Sequence, residues 1–192
     1  MRLIGIIGQS GAGKSTVCAA LAARGYRVLD GDALARDVTT PGSPVLAELA
    51  AAFGADILGA NGELKRHELA RRAFASATST KLLNAIMHPA IARKAHERLD
   101  SPEVYTAFLE GAALLESPLA RECAALAAVT APEELRLARL LARDKLSAPD
   151  LLLRMSAQRR EEDYCANADF VIVNDGVQPL EPQIDAMLEV LE

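Results

Sequence analysis

Gly8-Gln9-Ser10-Gly11-Ala12-Gly13-Lys14-Ser15 follows directly on the apolar run Leu3-Ile4-Gly5-Ile6-Ile7, and the junction of the two decides the fold. The run has no polar alternation, the pattern of a strand covered on both faces in a parallel sheet. The eight residues after it satisfy G-x-x-x-x-G-K-S/T, in which glycines let the backbone curl until successive N–H groups converge on a phosphate. Ser15 to Arg24 then reads as a helix closed by Gly25, and the positive end of that helix adds to the anion site. An accidental glycine-rich turn would lack this strand, loop and helix setting. Residues Gly8 to Ser15 are therefore expected to hold ATP. Lys14 is placed along the β- and γ-phosphates and the Ser15 hydroxyl in the Mg2+ shell, with Thr16 a lesser candidate.

Working outward, Tyr26 to Leu29 makes a second short strand ending in Asp30, and the Asp30-Gly31-Asp32 turn leads into helical residues from Ala33 to Val38. Pro44 to about Leu99 is mostly helical, broken by the turn Gly59-Ala60-Asn61-Gly62 and by Pro89, with no convincing buried strand. Alternation then resumes. Val104 to Leu109, Leu126 to Val129 and Asp169 to Val173 are strand-like, Pro132 opens a helix through Arg143 from its first turn, and Pro182 to Leu191 forms a last helix. Strands separated by helices imply an α/β fold, a doubly wound, mainly parallel sheet of five strands with right-handed crossovers. One domain is expected, with its core in 1–59, 100–138 and 164–192, a helical insert at 60–99 and a helical lid at 139–163.

Composition narrows the function classes. A chain of 192 residues can bury one self-sufficient core. A formal net charge of −5 argues against a general nucleic-acid binder, whose surface must attract the phosphate backbone. Cys18, Cys123 and Cys165 are odd in number and lack metal-ligand or CxxC spacing, which reads as buried, reduced thiols in a cytoplasmic setting. Leu3 to Ile7 is too short for a signal sequence or a membrane span.

Three further groups are candidates for chemistry. Asp30 and Asp32 stand at the end of the second strand, where a carboxylate either orients a substrate hydroxyl for in-line attack or makes an Asx turn or helix cap. Arg136, Arg139 and Arg143 recur on one helix, with Arg154, Arg159 and Arg160 beyond Pro149. As a group they suit a lid over the triphosphate, while singly they suit a solvated face paired with Glu133, Glu134 and Asp144. Glu110 ends the third strand and either reaches Mg2+ through water or caps the next segment. His67 and His96 read as surface or structural residues, without ligand spacing.

The order of landmarks along the whole chain resembles the dephospho-CoA kinase family. Asp30-Gly31-Asp32 with Ala35-Arg36 is similar to that family's Asp-Ala-Asp segment, followed by Pro41-Gly42, Phe53-Gly54, Asn61-Gly62 with Leu64, Arg66 and Leu69, then Leu83-Asn84, His88-Pro89 and Ile91. Leu114 and Glu116 match the end of a Pro-Leu-Leu-Phe-Glu segment. Arg139, Arg143 and Gln158 fit its lid, and Ala168-Asp169 with Asn174 and Gly176 fits its closing strand. The resemblance implies phosphorylation of the ribose 3′-hydroxyl of dephospho-CoA by ATP, by a monomer or weak homo-oligomer. Asp32 would be the base, Arg143 and then Arg139 the transition-state arginines, and the insert the acceptor-binding part, with His88, Arg36 and Arg66 in contact with substrate. The chain departs from the family at Gln9-Ser10-Gly11-Ala12, where Gly-Ile-Gly-Ser is usual, and at Ala112-Ala113, where Pro-Leu is usual. Two rival readings are another kinase of the nucleoside-monophosphate type and a non-catalytic nucleotide switch. The first would share the loop and lid but lack the later landmarks.

Overall fold

The computed structural model describes residues 2–100, 105–144 and 147–191. In chain order its elements are β1 (Arg2–Ile7), α1 (Lys14–Ala23), β2 (Arg27–Asp30), α2 (Gly31–Asp37), α3 (Pro44–Phe53), α4 (Arg66–Ala73), α5 (Ala77–Leu99), β3 (Thr106–Glu110), β4 (Ala125–Thr130), α6 (Glu133–Arg143), α7 (Ala148–Ser156), α8 (Glu161–Ala166), β5 (Phe170–Val173) and α9 (Leu180–Leu191). Two compact units divide the chain: Met1–Asp30 with Pro102–Glu192, and Gly31–Ser101.

The first unit is the α/β body. Its five strands lie in the order β2-β3-β1-β4-β5 and every pairing is parallel. Leu3, Ile4, Ile6 and Ile7 of β1 are all buried, as an uninterrupted apolar run demands of a central strand. Ile4, Ile6, Phe108, Val129 and Ile172 share a core with Val17, Cys18 and Leu21 of α1 and with Ile184, Met187 and Leu191 of α9. Winding starts at β1 and both its neighbours come later in the chain, so its carboxyl end is the switch point at which open α/β sheets take their ligands. The phosphate loop leaves from that point.

Phe108 anchors this core. It is fully buried and meets Tyr26 edge to face, with ring centroids 5.3 Å apart. Phe108→Ala should cost about 3–5 kcal/mol of stability, through lost transfer energy and a cavity that the close-packed sheet cannot collapse. Urea unfolding of the variant measures this, and a loss below about 1 kcal/mol would contradict the packing described.

The second unit is helical, and its one ladder contact among the described residues is an isolated bridge between Leu58 and Leu64. Val45, Leu46 and Leu49 of α3 form one core with Ile57, Leu69, Ala73 and Ala90, packed by Leu83, Ile86 and Met87 of α5. That shared core takes in α3, and the packing of α2 against α5 brings in the residues from Gly31, where the insert was expected from residue 60. Ser43 accepts a hydrogen bond from Leu46 N at 3.3 Å and Pro44 occupies the first turn of α3, a standard helix start.

Local readings shift in physically informative ways. Pro89 does not break the helix: α5 continues through it, with the proline exposed and Ile86, Met87 and Ala90 packed beside it. Proline removes one helical N–H bond, and tertiary packing outweighs that loss here. Pro132 is the N-cap of α6 and not its first helical residue. The helix after β2 begins at Gly31, so Asp32 lies within its first turn and does not cap it. Val104, the expected start of the third strand, lies outside the described residues.

Candidate functional site

The loop between β1 and α1 has the shape its sequence requires. Gly11 and Gly13 take φ values of 81° and 97°, which other residues reach only with strain. A Cβ on Gly11 would come within 2.7 Å of the Arg136 carbonyl, and one on Gly13 would overlap the Asn174 carboxamide. Ala12 N–H closes a turn on Gln9 O at 3.2 Å. The buried Lys14 ammonium donates to Gly8 O at 3.0 Å and Gln9 O at 3.2 Å, so it is folded over the loop it serves. Gly13, Lys14 and Ser15 open α1, where backbone N–H groups have no preceding helical carbonyl and face an incoming anion.

Two side chains from late in the chain set the orientation of this loop. Arg139 Nη1 donates to Gly11 O at 3.2 Å and Ala12 O at 3.3 Å, while its Nη2 donates to the Asn174 backbone carbonyl and side-chain oxygen at 3.1 and 3.2 Å. Asn174 Nδ2 adds a bond to Ala12 O at 2.8 Å. The Ala12 carbonyl and the Gly13 N–H belong to one planar peptide and point opposite ways. Fixing the carbonyl toward Arg139 and Asn174 therefore turns the Gly13 N–H away from them.

The arginines expected to act as a group divide into different roles. Arg136 is buried, donates its Nε to Ala131 O at 3.2 Å, and sets its backbone against Gly11. It belongs to the body of the fold. Arg143 is exposed and grips Asp144 with two bonds of 2.7 and 3.1 Å, and Arg154 reaches the same carboxylate at 3.3 Å. The Arg143 hydrogen bond chiefly holds Asp144 below the usual carboxylate range. Arg159 pairs with Glu116.

Glu110 ends β3 in register with Ile6 on one side and Asp30 on the other. The buried Cys18 thiol lies one helical turn beyond Lys14, near the Glu110 charge. Burial, with the Glu110 charge second, pushes that thiol far above its ordinary range, and the nearby Lys14 charge offsets only part of the rise. Cys18 is thus a protonated, inert core thiol, as expected. Cys123 and Cys165 are only half-buried, a correction to the expectation that all three lie inside. An exposed hydroxyl at Ser15 and a carboxylate at Glu110 are hard oxygen donors that suit Mg2+, which keeps several waters and phosphate oxygens of its own. No group of three His, Cys, Asp or Glu able to hold a metal occurs among the described residues.

In the helical unit, Asp32 and Arg36 stand four residues apart on α2, on one helical face. Arg66 opens α4 and donates to Thr39 Oγ1 at 3.0 Å, and Thr39 itself donates to Ala35 O and Arg36 O at the end of α2. Half-buried His88 lies on α5, which packs against α2. Arg98 of α5 and Asp37 of α2 form an ion pair across the same contact. Asp32, Arg36 and Arg66 are all exposed, while His67 and His96 are surface residues. Asn174 and Gln158 act on the loop from more than 140 positions away, and no local spacing announces such contacts.

Known proteins resemble this chain over nearly its whole length. The family model described as dephospho-CoA kinase matches residues 2–179. The chain is 40% identical to the dephospho-CoA kinase of Corynebacterium efficiens, over 98% of this chain and 96% of that one. A Thermus thermophilus crystal structure superposes with a TM-score of 0.83 at 35% identity, covering 98% of this chain and 94% of the other. The dephospho-CoA kinase of Campylobacter jejuni shares the fold, with a TM-score of 0.67, 22% identity, and 98% and 96% coverage. No helix among the described residues is long and apolar enough to cross a membrane.

Proposed function

Because the chain belongs to the dephospho-CoA kinase family, we propose the division of labour by which its residues carry out the family's reaction. That reaction is ATP-dependent phosphorylation of dephospho-CoA in coenzyme A biosynthesis, giving CoA and ADP. The observation that carries the reading is the phosphate loop at the switch point of a parallel sheet, braced by Arg139 and Asn174.

Gly8, Gln9, Ser10, Gly11, Ala12 and Gly13 form the cradle, and Lys14 swings from the loop carbonyls to the β- and γ-phosphates. Ser15, with Thr16 beside it, presents hydroxyls at the start of α1. Mg2+, when bound, would offset charge on the transferred phosphoryl group, with Ser15 as a direct ligand and Glu110 reaching it through water. Asp32 accepts the hydrogen bond of the ribose 3′-hydroxyl and takes its proton as the new oxygen–phosphorus bond forms and the bond to ADP breaks. Arg143 exchanges Asp144 for the developing charge, while Arg139 contributes by holding the loop. Arg36, Arg66 and His88 contact the anionic acceptor. The helical unit Gly31–Ser101 serves the acceptor, and residues 139–163 act as the lid. The enzyme acts in the cytoplasm as a monomer or weak homo-oligomer, on a small molecule and not on nucleic acid.

A coupled ADP-release assay over dephospho-CoA, AMP, adenosine and a small sugar acid tests the substrate. Turnover with dephospho-CoA is expected to exceed that with the others by at least about 10²-fold, since a site built for polar groups rejects analogues that lack them. Strong turnover with another acceptor and none with dephospho-CoA would contradict the reading.

A further inference from the structure

Three hydrogen bonds tie the first half of the phosphate loop to the residues that follow α7. Gln158 Oε1 accepts from Ser10 N at 3.0 Å, and Gln158 Nε2 donates to Ser10 Oγ at 3.0 Å. One residue along, Gln9 Nε2 donates to Arg159 O at 2.9 Å. Gln9 and Ser10 are both buried, so these bonds form where water competes poorly. Two of the three come from side chains at the positions where this loop departs from the family's usual Gly-Ile.

The far side of this contact is itself anchored. Gln158 N–H bonds to Met155 O at 3.2 Å, and Met155 is buried with Leu140 and Leu151 in the small core that joins α6 to α7. The Arg159 guanidinium pairs with Glu116, and Tyr164 donates its hydroxyl to Ala112 O at 3.1 Å. The carboxamide of Gln158 therefore connects the α6–α7 pair, whose α6 bears Arg139 and Arg143, to the entry of the phosphate cradle.

We propose that Gln158 is a positioning residue for nucleotide binding. Its carboxamide fixes the plane of the Gln9–Ser10 peptide, so that the amides from Gly11 to Ser15 stay gathered for phosphate. The Ser10 N–H is committed to Gln158 and helps by geometry, not by touching the ligand. A neutral acceptor is required at this place. A carboxylate would keep the bond to Ser10 N but set a negative charge against the loop that must receive a triphosphate.

The test uses the full-length protein carrying Gln158→Leu, Gln158→Glu, Ser10→Ala, or Gln158→Leu with Ser10→Ala. It measures the ATP dissociation constant by calorimetry, kcat and both KM values, and the melting temperature. Gln158→Leu should weaken ATP about tenfold, the loss of one to two hydrogen bonds, with the KM for dephospho-CoA unchanged. Gln158→Glu should melt like wild type and bind ATP at least as weakly as Gln158→Leu. Ser10→Ala should weaken ATP by about threefold alone and by nothing further in the Gln158→Leu background, because the shared bond is already gone. Wild-type ATP affinity in both Gln158 variants would overturn the proposal, as would a loss that only tracks the melting temperature. The turnover arm rests on the acceptor reading above, whereas ATP affinity does not. A wild-type protein that binds ATP and ignores dephospho-CoA would sink that reading and leave this inference standing on the affinities.

Discussion

Asp32→Asn should lower kcat by about 10²–10⁴-fold, the range for a group that takes a proton in the transition state, while ATP affinity stays within about twofold of wild type. The expectation follows from what the replacement keeps. Asparagine preserves the size of the side chain and one hydrogen-bond acceptor but cannot take up the hydroxyl proton. Asp32 lies in the first turn of α2, exposed, with its helix packed against α5. Little folding energy is therefore at stake, and a fall in kcat is not a fall in folded protein. Single-turnover kinetics with saturating ATP separate the chemical step from binding. Unchanged turnover would remove Asp32 from the mechanism.

Gly13→Ala is expected to weaken ATP binding by about 10²-fold or more. Two costs add at that position, both within the loop. The φ of 97° strains any residue with a Cβ, by about 1–3 kcal/mol, and that Cβ would overlap Asn174, whose Nδ2 holds Ala12 O at 2.8 Å. Relief of the overlap must displace Asn174 or the loop, and either one frees the Ala12–Gly13 peptide that Asn174 and Arg139 hold. Gly25→Ala is the matched control. Gly25 has a similar φ of 91°, but nothing lies within 4 Å of its added Cβ, and it stands at the far end of α1. It should lower the melting temperature and leave ATP affinity intact. Equal ATP affinity in Gly13→Ala and wild type, measured by calorimetry, would contradict the loop geometry.

What the sequence discloses follows the range of the forces involved. The β1 run, the glycine loop and α1 are legible because each is encoded by neighbouring residues: an uninterrupted apolar run, obligate positive-φ glycines, and a lysine and hydroxyl at fixed spacing. Pro89 misleads because proline's cost is local, whereas the packing of Ile86, Met87 and Ala90 that overrides it is not. The helical unit begins at Gly31, and not near residue 60, because Leu46 and Leu49 find their partners in α4 and α5 and because α2 packs against α5. The sequence marks this stretch as helical without saying what it faces.

The arginines teach the same lesson at the site. Arg136, Arg139 and Arg143 look alike on one helix, yet one is buried in the fold, one grips the loop carbonyls and one is exposed on Asp144. The residue type announces an affinity for oxygen, and only the tertiary structure says whose oxygen. Asn174 shows the limit most plainly: its carboxamide completes a loop 162 positions earlier in the chain.

The measurement that tests the account most directly is the position of the new phosphate. Purified protein with ATP, Mg2+ and dephospho-CoA should yield ADP and CoA in equal amounts, with phosphorus NMR placing one added phosphate on the ribose 3′-oxygen. ADP formed without a phosphorylated acceptor, or a phosphate on any other oxygen, would contradict it.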